Sequence, residues 1–116
     1  MKSFTICTPI LPGKSDSWKA FTQELAHARK VEFDAMMKRL GVSRSRTWLQ
    51  KTPQGDVAFV LHEGSSPDRM MTELAKANDP FAVWFKSKMT ECYGVDMNAS
   101  KVSVPVATEL KMDCLH

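Results

Sequence analysis

The chain has 116 residues, 43% hydrophobic and 25% charged, with five Gly and six Pro spread along it. That balance fits one globular domain with a single core and does not indicate disorder. Its net charge of +3 comes from lysines and arginines that alternate with acids, not from the dense basic stripe of a nucleic-acid binder.

In chain order, Lys2 to Thr8 sets Phe4, Ile6 and Thr8 against Ser3, Thr5 and Cys7, the period-two pattern of a strand with two different faces. Thr8 to Ser15 comes close to G-x-x-x-x-G-K-[ST], the loop whose backbone N–H groups cradle phosphates. Thr8 stands in place of the first glycine, and Pro9 and Pro12 have no N–H. The segment therefore reads as a strand-to-helix turn. From Ser15 to Leu40 the period is helical, with Trp18, Phe21, Leu25, Ala28, Met36 and Leu40 on one side and Gly41 as a stop, which predicts one long helix. Ser43 to Lys51 and Asp56 to Glu63 read as two strands joined by Thr52-Pro53-Gln54-Gly55 in an antiparallel hairpin. Ser66-Pro67 and Asp79-Pro80 each offer a capping side chain before a first-turn proline, so two short helices should start there, the second ending at Gly94. Gly94 to Pro105 lacks periodicity and reads as a loop; Val106 to Asp113 alternates again and predicts a last strand.

This order of strand, helix, strand, strand, split helix, strand is the ferredoxin-like plan, an α+β sandwich with a four-stranded antiparallel sheet and helices on one face. The other face then needs cover. The order of elements, with PILPGK at Pro9 to Lys14, Trp18, WLQ at Trp48 to Gln50, TPQGD at Thr52 to Asp56, DPFAVWF at Asp79 to Phe85 and GVD at Gly94 to Asp96, resembles an uncharacterised family of the dimeric α/β-barrel superfamily. The resemblance spans nearly the whole chain. It implies a homodimer whose open sheet faces join into a barrel, with a pocket between sheet and helices in each protomer. Members of the superfamily include cofactor-independent monooxygenases, haem-degrading enzymes, isomerases and cyclases, but no catalytic motif carries over to these positions.

A four-residue turn at Thr52 to Gly55 puts Trp48 beside Phe59, Gln50 beside Val57, Arg46 beside Leu61 and Arg44 beside Glu63 on one face. Ser45, Thr47, Leu49, Ala58, Val60 and His62 fall on the other. Arg46, Trp48 and Gln50 suit a concave site for an aromatic or anionic ligand, or a dimer interface, where Trp and Arg are enriched. On the single long helix, Arg29 and Glu32 fall inside the apolar stripe. Such a polar break marks either a pocket or an i, i+3 ion pair on a helix edge. His62, on a strand, is a candidate acid or base, or a hydrogen-bonded structural histidine. The ligand-binding candidates are thus Arg29, Glu32, Arg46, Trp48, Gln50 and His62.

Cys7, Cys92 and Cys114 are far apart with no C-x-x-C pair, and the three histidines have no metal-ligand spacing. Reduced thiols, no metal and no cofactor are expected. Pro9 and Pro12 break the only early apolar run, and nothing approaches the ~20 apolar residues of a membrane span. No leader and no membrane partner are expected, and the cytoplasm is the expected location. The reading that follows is a homodimeric protein that binds a small apolar or aromatic anionic molecule, or a cofactor-independent enzyme of the monooxygenase or isomerase type. The alternatives are a non-catalytic dimeric interaction module and RNA binding. The last is disfavoured, because Asp56 and Ala58 stand where base-stacking aromatics belong.

Overall fold

The computed structural model describes residues 2–97 and 105–116. In chain order, β1 (Lys2–Pro9), α1 (Ser15–Ala26), α2 (Lys30–Arg39), β2 (Val42–Thr52), β3 (Gly55–Gly64), α3 (Pro67–Lys76), α4 (Pro80–Tyr93) and β4 (Val106–Ala107) form a four-stranded antiparallel sheet of order β2-β3-β1-β4. This is the ferredoxin-like arrangement. The hairpin register pairs Trp48 with Phe59, Gln50 with Val57, Arg46 with Leu61 and Arg44 with Glu63, as the turn length required, with an irregularity at Ser43. The inner face carries Phe4, Ala58 and His62, all buried, while the outer face leaves Trp48 and Phe59 exposed.

Turn chemistry sets the helix ends. Ser66 accepts a hydrogen bond from the Arg69 N–H and Asp79 one from the Ala82 N–H, each before a proline that needs no donor there. Gly94 closes α4 at a φ of +72°. Phe21, Met36, Leu40, Met70, Leu74 and Phe85 pack with Phe4 in the core between the helices and the inner sheet face.

Two expected elements differ. The long helix of Ser15 to Leu40 is two helices, α1 and α2, broken at His27 to Arg29, where the Arg29 N–H reaches back to the Glu24 carbonyl at 2.7 Å. Continued at about 100° per residue, one helix would carry Arg29 and Glu32 into the core, and unpaired burial of such charges is costly. The wider turn keeps them at the edge. The last strand, expected over Val106 to Asp113, is β4 alone, paired with β1 only at Ile6↔Val106 and Thr5↔Ala107. Beyond it the chain has no regular structure, and Leu110, Met112 and Leu115 are exposed. Alternation predicts a strand only where a partner face exists to bury one side, and in one copy of the chain none does. Of the loop expected over Gly94 to Pro105, residues 98–104 lie outside the described residues.

Candidate functional site

Thr8 on β1, Ser45 and Thr47 on β2 and Ala58 on β3 are short side chains on the inner face, so the sheet surface beneath the helices is recessed. Over this recess lies a cavity of about 80 Å³. By the measure in which one water needs ~10–15 Å³, it has room for a ring or a short chain. The helices and the segment after α4 close it with Phe21, Leu25, Phe33, Leu74 and Phe85 and with five methionines, Met37, Met70, Met71, Met89 and Met97. Unbranched thioethers are the side chains best able to re-pack around an occupant. Among the described residues no Asp, Glu, Lys or Arg lines it.

Besides the hydroxyls of Thr8, Thr22 and Thr47, its polar groups sit at two places. His62 is 6% exposed, and burial holds its pKa down at about 4, so the ring is neutral at pH 7. Its Nδ1 lies 2.8 Å from the Ser45 hydroxyl, its direct cross-strand partner, and its ring leans on Phe4. Nε2 has no hydrogen-bond partner among the described residues. At the other place Tyr93 lines the cavity, and its hydroxyl accepts a 2.6 Å hydrogen bond from Trp18 Nε1–H. Burial pushes the phenol up to about 12, so it stays protonated and keeps its own O–H to donate.

Of the six ligand-binding candidates named from the sequence, His62 alone lines this cavity. Arg29 and Glu32 form the i, i+3 pair, Nε to Oε1 at 3.1 Å, with the guanidinium over the Trp84 ring at 4.2 Å and the Phe81 ring at 5.3 Å, away from the cavity. Arg46, Trp48 and Gln50 do come together, on the outer face. There Arg46 lies 3.6 Å from the Glu63 carboxylate and 5.7 Å from the Trp48 ring centre. Missed in the sequence were Ser45, Thr47, Tyr93 and the methionines. The available signal was the row of small residues at Thr8, Ser45, Thr47 and Ala58 opposite methionine-rich helices.

The near-phosphate loop is occupied by the protein itself. Ser15 Oγ donates to Asp56 at 2.6 Å, and the Leu11 N–H binds the Cys92 carbonyl at 2.8 Å. No cluster of three or more potential metal ligands exists among the described residues, where no helix is long and apolar enough to cross a membrane. Cys7 and Cys114 are free and exposed, and Cys92 is free and buried, its thiol pushed up by burial.

The fold and cavity define a ferredoxin-like α+β protein with an uncharged hollow between sheet and helices. Among solved structures the chain is similar to the crystal structure of an L-rhamnose mutarotase from Formosa agariphila, over 100% of both chains, with a TM-score of 0.63 and 14% identity. That likeness is one of fold. No protein-family model matches the chain, and no curated protein matches it in sequence.

Proposed function

We propose that the protein binds a compact, largely apolar small molecule in the cavity above β1 to β3, with one hydrogen-bond acceptor of that molecule, a carbonyl oxygen, received by His62. The observation that carries this reading is a neutral imidazole on an otherwise uncharged, methionine-walled hollow. In the tautomer in which the Ser45 hydroxyl donates to Nδ1, the ring proton resides on Nε2 and is available to a ligand acceptor. A ligand carbonyl at Nε2 gains a hydrogen bond in low-dielectric surroundings, worth about 1 kcal/mol. The mutarotase with the similar fold is named for L-rhamnose. A pyranose, with hydroxyls around its ring, asks for more polar partners than Thr8, Thr22, Ser45, Thr47, His62 and Tyr93 supply among twenty lining residues. A neutral imidazole N–H against a carbonyl also favours an enolate, but isomerisation needs in addition a base to take the α proton, and no carboxylate among the described residues lines the cavity, so binding rather than turnover is the reading.

The assembly we propose is a homodimer through the outer sheet face. Trp48 is 50% exposed and Phe59 37%, beside Arg46 and Leu61, and the apolar tail residues Leu110, Met112 and Leu115 are uncovered as well. Interface cores are rich in Trp, Phe and Arg. In this reading Arg46, Trp48 and Gln50 serve the contact between copies.

Calorimetric titration with acetophenone and with ethylbenzene, the same ring with and without the carbonyl, tests the site. Acetophenone should bind about tenfold or more tighter to the wild type, a difference of ~1.4 kcal/mol, and His62→Phe should abolish the preference. Equal affinities, or a preference that survives in the variant, would remove His62 from the site.

A further inference from the structure

Next to the cavity, between edge strand β2 and the helices α1 and α2, lies a wide open groove of about 860 Å³. Thr22, Leu25, Phe33, Met37, Ser45 and Thr47 line both spaces, so the groove is the mouth of the cavity. Its character is the opposite of the interior. Lys30, Lys38 and Arg44 stand on its walls with one carboxylate, Asp34. Lys30 is already paired with Asp34 one turn along α2. Lys38 and Arg44 have no carboxylate within ion-pair reach among the described residues.

From this juxtaposition we infer that the mouth is an anion subsite, and that the ligand is a carboxylate whose apolar carbonyl-bearing part enters the cavity while its charged end stays outside on Lys38 and Arg44. This rests on the reading of the cavity given above and adds the class of ligand to it. A carboxylate is disfavoured inside, where no cation among the described residues lines the wall and desolvation would be uncompensated. At the mouth it keeps part of its hydration and meets the Lys38 ammonium, while Arg44, rooted on the outward row of edge strand β2 opposite Glu63, lines the groove from the strand edge. Ser45 belongs to both spaces and binds the His62 ring, so a ligand carbonyl at His62 lies near the threshold, a few bonds from the groove.

The probes are acetophenone, 4-oxo-4-phenylbutanoate, which is the same phenyl ketone with a carboxylate on a two-carbon spacer, and the methyl ester of that acid. Titrated into the wild type at low salt, the acid should bind at least tenfold tighter than the ester, and the gap should narrow as salt is raised. In Lys38→Glu/Arg44→Glu the gap should close or invert while acetophenone binds as before. Equal binding of acid and ester to the wild type, or a gap that persists in the double variant, overturns the anion subsite and leaves the cavity reading standing. Absence of acetophenone binding to the wild type overturns the cavity reading, and the subsite with it.

Discussion

The imidazole of His62 ties the cavity to pH. Its pKa is depressed from the ordinary 6.5 to about 4 by burial, so between those values the unfolded chain takes up a proton that the folded one refuses. Its contribution to stability is therefore complete above pH 6.5 and is lost as pH falls toward 4, by roughly 3 kcal/mol across that window. Urea midpoints measured from pH 7.5 to 4 should fall more steeply for the wild type than for His62→Phe, which has nothing to protonate there. Parallel curves would mean that the ring is not held neutral by burial. Lys86 shows a different solution to burial. It is 3% exposed, yet its ammonium donates to the Ala75 and Ala77 carbonyls at 3.2 and 2.6 Å, serving the end of α3 where no glycine cap stands.

At the scale of elements, the break between α1 and α2 explains the polar pair that interrupts the apolar stripe. Arg29 and Glu32 mark the place where the helix changes direction, so Arg29→Met should cost only roughly 1 kcal/mol, the worth of an exposed ion pair and a partly exposed cation–π contact. Chemical denaturation checks the stability, and acetophenone affinity should not change. A loss of several kcal/mol, or weakened binding, would put the pair inside the site after all. The first three strands, the hairpin register, both proline-capped helices and Gly94 were legible in the sequence because each follows from local chemistry: a period of two, a turn of fixed length, a side-chain cap, a residue tolerant of positive φ. The helix break was not legible, because no Gly or Pro announces it and the energy that decides it is tertiary. For the same reason the candidates named from sequence, His62 apart, lie away from the cavity. Arg46, Trp48 and Gln50 attract notice by their chemistry, whereas a cavity is made by what Thr8, Ser45, Thr47 and Ala58 leave unfilled, and only the packed helices show that space.

For the whole molecule, the inner face of the sheet with the helices encloses the hollow, and the outer face is the one we propose for contact with a second copy. Light scattering at micromolar concentration should give about twice the 13.1 kDa chain mass. Trp48→Asp, which places a charge at the centre of the contact, should return the chain mass, and a monomeric wild type would end the dimer reading. The central claim, that the hollow receives a small molecule, is tested most directly by NMR of protein labelled in the methionine methyl groups, because five of them line the cavity while Met112 is exposed far along the tail. Titration with acetophenone should shift the methyl signals of Met37, Met70, Met71, Met89 and Met97 together, with one dissociation constant, and leave that of Met112 in place. Unmoved signals from those five at ligand saturation, or shifts confined to Met112, would contradict it.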